Sequence, residues 1–293
     1  MSDSGSEDDF HSMWSRPFTF GGRQVRVEEG WGVGIGGTVW EGGVLLAQYL
    51  SSTAFAAESY QGARCLELGA GATGLPGIVA AQLGCFSQVV ITDVDECLEA
   101  LHENVSANLP CHCTLAPKCL PQSQTAAQKH RPSDTQPCTD SDPACLGTDS
   151  NNSMQNPGQP ANHVHQHQDN TDSTAQQHTD QQSSTVQATE VLVAELDWAR
   201  DASALSLPFD VVLLADVVYV PEAMQCLLEC IHATSGPSSL ILLAYYKRFA
   251  QAGETFWKLL PDYFDFEKIP EATFGAKAQP DNLGLFKLTW KAR

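Results

Sequence analysis

The run Asp210-Val211-Val212-Leu213-Leu214-Ala215 constrains the fold more than any other segment. A short, nearly continuous apolar stretch reads as a strand buried on both faces, and such strands belong to parallel sheets with helices packed on each side. The chain leaves this strand directly through Asp216-Val217-Val218-Tyr219, which sets a carboxylate and a phenol at the strand's carboxyl end. Ligand crevices of open α/β sheets lie outside those ends. Upstream, Leu66-Glu67-Leu68-Gly69-Ala70-Gly71-Ala72-Thr73-Gly74 supplies a glycine-rich strand-to-helix turn.

Periodicity extends this pattern along the chain. Phe18-Thr19-Phe20 and Gln24-Val25-Arg26-Val27 alternate around Gly21-Gly22 and predict a small N-terminal hairpin. Helices are expected over Val39–Leu50, Leu75–Leu83, Glu96–Asn108, Pro221–His232 and Gly253–Leu260. Strands are expected over Arg64–Leu68, Gln88–Thr92, Glu190–Leu196, Asp210–Ala215, Ser239–Tyr245, Phe264–Ile269 and Leu285–Trp290. Strands alternating with helices imply a doubly wound, seven-stranded, mostly parallel α/β sheet of Rossmann-like architecture, with the hairpin as an extension. Residues 1–16 read as an acidic disordered tail and 17–293 as one domain. Residues 112–187, rich in Gln, Asn, Ser, Thr, Asp, Pro and His, read as a disordered insertion in it. Such a segment buries too little apolar surface to offset its ordering entropy.

The net charge of -19 argues against direct nucleic-acid binding and mildly favours a basic partner. No apolar stretch approaches the length of a membrane span, and the acidic start lacks the order of a secretory signal. Cys65, Cys85, Cys97 and Cys226 sit in or beside predicted elements as small apolar residues, which suits a reducing interior, the cytosol or the nucleus. The chain is read as a monomer. Cys111, His112, Cys113, Cys119, Cys138, Cys145, His163, His165 and His167 match no common zinc spacing, so no metal is expected. Lys247-Arg248 reads as a surface pair, with contact to an acidic substrate segment as the alternative.

Gly69-Ala70-Gly71-Ala72-Thr73-Gly74 fits G-x-G-x-x-G, and Asp93 follows at the spacing of a ribose-binding acid. A nicotinamide dinucleotide would satisfy this much. Glu67, two residues before Gly69, shifts the balance: an acid there repels pyrophosphate and attracts a cationic donor such as S-adenosylmethionine.

Glu67-Leu68-Gly69-Ala70-Gly71, Ile91-Thr92-Asp93, Leu196-Asp197-Trp198 and Asp216-Val217-Val218-Tyr219, with Thr38-Val39-Trp40-Glu41-Gly42-Gly43 upstream, occur in a telling order. In this the chain resembles the seven-β-strand protein-lysine methyltransferases of the Asp-x-x-Tyr type, the methyltransferase-like 21/22 group. The resemblance implies a class I methyltransferase fold, S-adenosylmethionine as cofactor and a protein substrate carrying the target lysine. It also implies that Trp40, Gly69, Ala70, Gly71, Asp93, Trp198 and Ala215 line the donor site, with Asp93 on the ribose and Trp198 near the adenine. Asp216 and Tyr219 would receive the amine, Asp216 chiefly by binding and orientation, since its charge favours ammonium over free amine. Alternatively, Asp216 caps the helix beginning near Pro221. Many family members read Gly-x-Gly-Thr-Gly, so this loop is one residue longer. An arginine or small-molecule methyltransferase, a nicotinamide-dependent oxidoreductase and a catalytically silent binding module are the alternative readings.

Overall fold

The computed structural model describes residues 14–109, 114–115, 188–200, 202–275 and 280–291. The acidic tail, nearly all of the expected insertion and the Cys/His group from Cys111 to His167 lie outside the described residues.

The chain begins with an antiparallel hairpin, β1 (Trp14–Phe20) and β2 (Arg23–Glu29). Its turn runs through Gly21 and Gly22 at φ 55 and 81, the left-handed geometry that suits a two-residue hairpin turn. Helix α1 (Glu41–Leu50) follows, then β3 (Arg64–Leu68), α2 (Leu75–Leu83), β4 (Gln88–Asp93) and α3 (Asp95–Asn108). Next come β5 (Thr114–Leu115), β6 (Glu190–Glu195), β7 (Phe209–Ala215), α4 (Met224–Thr234), β8 (Ser235–Tyr246), α5 (Ala250–Leu259), β9 (Phe264–Ile269) and β10 (Leu283–Trp290).

The main sheet has the order β5-β6-β4-β3-β7-β8-β10-β9. Strands β3 to β8 run parallel, and β10 is antiparallel to both β8 and β9. These are the seven expected strands, with the two-residue β5 added at one edge. Two-residue periodicity divides each central strand between two cores. Val211 and Leu213 face the layer of α1 to α3, while Val212 and Leu214 face the layer of α4 and α5. All four are fully buried, and each contributes about 1.5–3 kcal/mol relative to an exposed position.

Two boundaries differ instructively from expectation. Val39 and Trp40 precede α1 instead of opening it, because the Glu29 carboxylate accepts the Val39 N–H (2.6 Å) and holds that backbone extended. Helix α4 is entered through a separate 3-10 turn, Pro221–Ala223. The chain builds β4 and β6 on one side of β3, then returns to lay β7 on the other. The crevice outside the ends of β3 and β7 is therefore the topological switch point of the sheet.

Candidate active site

Three glycines shape the turn after β3. Gly69, Gly71 and Gly74 have φ of 68, 62 and 53, a region that costs an L side chain about 1–2 kcal/mol. Each is also crowded: a Cβ would stand 2.8 Å from Val217 Cγ1 at Gly69, 2.6 Å from the Gly36 carbonyl at Gly71 and 2.5 Å from Leu101 Cδ1 at Gly74. Ala72 is buried, its N–H donates to the Gly36 carbonyl (2.8 Å), and its own carbonyl accepts from Asn104 Nδ2 (2.9 Å).

Asn104 belongs to a larger arrangement. Along the outer edge of β2, Asn104 pairs with both the N–H and the carbonyl of Glu28, and Asn108 does the same for Arg26. Gln82 donates to the Gln24 carbonyl. The hairpin is thereby fastened to α2 and α3. Glu29 at its end accepts from Thr38 Oγ1 and Val39 N, and Trp40 Nε1 donates to the Ile35 carbonyl (2.9 Å). The segment from Ile35 to Trp40 is thus held beside the glycine turn.

Three carboxylates meet this crevice. Period-two geometry points Glu67 of β3 to the α2 side, where its Oε2 accepts the Gly77 N–H (2.7 Å) in the first turn of α2. The side chain is 2% exposed, and burial pushes its pKa up to about 8. Asp93, at the end of β4, accepts from Gly71 N on Oδ2 (2.7 Å) and from Val94 N on Oδ1 (2.8 Å). Burial raises its pKa against those two bonds. Each carboxylate oxygen has further acceptor capacity.

Asp216 sits just past β7 at φ 55, a left-handed conformation that Asp tolerates better than most residues. Its N–H donates to the Ala244 carbonyl, and its Oδ2 accepts the Gly42 N–H (2.6 Å). Asp216 therefore caps α1, distant in sequence, and not the helix after Pro221. Burial lifts its pKa to about 6, opposed by the Gly42 bond and the Arg248 charge and assisted by Glu41.

All ten residues expected at the site, Trp40, Glu67, Gly69, Ala70, Gly71, Asp93, Trp198, Ala215, Asp216 and Tyr219, line one cavity of about 470 Å³. Sequence reasoning missed Gly36, Cys97, Arg248 and Phe249 on the same wall. Arg248, read as half of a surface pair, instead lines this cavity. Its guanidinium lies over the Trp40 ring (4.7 Å) and the Tyr246 ring (4.0 Å) and pairs with Glu41. The basic dipeptide itself was the available signal; the partner 207 residues away was not readable. Tyr219 packs against Phe249 with ring centroids 6.4 Å apart.

The family model described as lysine methyltransferase matches residues 20–120 and 168–262. The chain belongs to this family. It is similar to protein N-lysine methyltransferase METTL21A of Mus musculus, 41% identical over 112 residues. That stretch is 38% of this chain and 48% of the mouse protein, so the match spans about half of the relative's length. It is also similar to EEF1A lysine methyltransferase 3 of Mus musculus, 26% identical over 262 residues, 88% of this chain and 77% of that protein. The family's features that this chain carries lie on one connected surface, from the glycine turn to Asp216 and Tyr219.

Proposed function

We propose that this chain is an S-adenosylmethionine-dependent methyltransferase that modifies a lysine side chain of a protein. One observation carries the reading: Glu67 and Asp93, beside the glycine turn, and the Asp216-Tyr219 pair line a single cavity at the sheet's switch point. Family membership supports the same chemistry.

The residues present suit the cofactor. Gly69 and Gly71 let Val217, Trp198 and the Gly36 carbonyl pack directly against the turn, where any Cβ would collide, and this packing shapes the cavity wall that a donor would meet. Asp93 retains lone pairs for ribose hydroxyls, and the partly buried Trp198 offers apolar area and a ring face for adenine. Glu67 is mostly protonated near pH 7 as it stands, and a cation beside it would draw out the carboxylate form. Trp40, Ala70 and Ala215 would complete the wall. When bound, S-adenosylmethionine supplies a methyl group on a cationic sulfur, electrophilic without further activation.

The chain's remaining task is to present a neutral amine. Free lysine titrates near about 10.4 and arrives charged. Asp216, ionised above about 6, would bind and orient that ammonium, and Tyr219 would shape the channel beside it. Transfer of the ammonium out of water, close to a second cation, lowers its pKa and favours proton loss. Alignment is then the main source of acceleration, which in favourable intramolecular models reaches about 7–11 kcal/mol. A cytosolic or nuclear setting is part of this proposal, supported by the free state of the five described cysteines.

The test is incubation of the purified chain with isotopically labelled S-adenosylmethionine and a proteome lysate, followed by mass-spectrometric mapping. Label on lysine side chains is the expected result. Donor binding with no transfer to any protein would overturn it in favour of a silent binding module.

A further inference from the structure

Six large apolar side chains are exposed among the described residues, and four of them, Ile35, Val94, Val220 and Phe249, line the same cavity. They are contributed by four separate segments: the 3-10 stretch before Trp40, the β4–α3 link, the β7–α4 loop and the β8–α5 link. Exposed apolar surface gathered at one concavity marks a place that a partner covers. The charge beside it is also one-sided. Glu96 is exposed on the cavity wall, and the cation on that wall, Arg248, is already matched by Glu41. The chain as a whole carries 35 acidic against 16 basic residues.

We infer that this rim is the docking surface for the polypeptide flanking the target lysine, and that it selects a segment with an apolar side chain and a basic side chain next to that lysine. The inference rests on the function proposed above and adds substrate selection to it. Phe249 is in ring contact with Tyr219, Val220 follows Tyr219 in the chain, and all three line the cavity. An apolar neighbour of the target lysine would therefore cover them while the lysine reaches Asp216. A basic neighbour would be drawn by Glu96 and by the long-range field of the chain. A flanking acid would meet repulsion from both.

The test uses three fluorescent peptides with a central lysine. One is flanked by Leu and Arg, one by Ser and Arg, and one by Leu and Glu. Binding to the full chain is read by anisotropy with S-adenosylhomocysteine present, and methyl transfer is read separately with labelled S-adenosylmethionine. The Leu/Arg peptide is expected to bind about tenfold more tightly than either of the others. The variant Val220→Ser with Phe249→Ser should bring the Leu/Arg and Ser/Arg peptides to equal affinity. Both positions are exposed, so folding should survive. Equal binding of all three peptides to the unaltered chain would overturn the inference, as would a Leu preference that survives in the Val220→Ser, Phe249→Ser variant. Transfer regardless of flanking residues would sink rim selection while leaving the enzymatic reading standing. A binding preference without any transfer would do the reverse.

Discussion

The ends of β3 and β7 solve one problem in two ways. Each of these neighbouring strands carries, within one residue of its end, a carboxylate that accepts a backbone N–H in the first turn of a helix, Glu67 from Gly77 of α2 and Asp216 from Gly42 of α1. Each pairing requires glycine on the helix. A Cβ would lie 2.4 Å from Glu67 Oε2 at Gly77 and 2.6 Å from Asp216 Oδ2 at Gly42. The surroundings then diverge. Glu67 is almost fully buried at the cavity wall, whereas Asp216 is only partly buried, near an arginine and a tyrosine. Burial accordingly pushes one pKa to about 8 and the other to about 6. In the proposed reaction the same local device would serve the donor side from one strand and the acceptor side from the next.

The largest effect should come from breaking the acceptor side alone. Asp216→Ala is expected to lower methyl transfer by about 10²-fold or more through lost alignment, while calorimetry shows donor affinity little changed. Retained turnover on a verified protein substrate would remove Asp216 from the acceptor role. The glycines sharpen the comparison. Gly42→Ala should displace Asp216 and reduce turnover with donor affinity kept, and Gly77→Ala should displace Glu67 and weaken donor binding first. Identical kinetic signatures from the two variants would mean that the walls are not separable.

On the donor side, Asp93→Ala should weaken S-adenosylmethionine binding by about 10–100-fold, the range for lost hydrogen bonds to a charged group. Unchanged affinity by calorimetry would take Asp93 out of the ribose site. The smallest effect concerns stability. Folding raises the Glu67 pKa from 4.5 to about 8, so the folded state favours the protonated form. Stability from this group is complete below about 4.5 and is lost as pH rises toward about 8. Glu67→Gln keeps an acceptor for Gly77 and should flatten the fall in Tm across that window. An unaltered pH slope in thermal melts of the ligand-free chain would show that Glu67 is not the group responsible.

Much of this was legible because local pattern and final environment agree. The bounds of β3, α2 and β9 follow directly from apolar periodicity and flanking turn residues. The glycine spacing identified a turn whose three glycines all adopt positive φ. What escaped depended on distant partners. Val39 and Trp40 have helical neighbours but are held extended by Glu29. Asp216 has a helix just downstream yet caps one 174 residues earlier in the chain. Arg248 looks like a surface cation until Trp40 and Glu41 are brought beneath it. Strand β5 is only two residues long and has no periodicity to read.

The side-chain amides of Asn104, Asn108 and Gln82 have a consequence beyond fastening the hairpin. They occupy the backbone groups of Gln24, Arg26 and Glu28, which would otherwise face outward as an unpaired ladder. Such a ladder is a template for a strand from another molecule and a starting point for aggregation. Here three amides imitate a neighbouring strand, so a two-stranded ribbon can lie against α2 and α3 without recruiting a third along this edge.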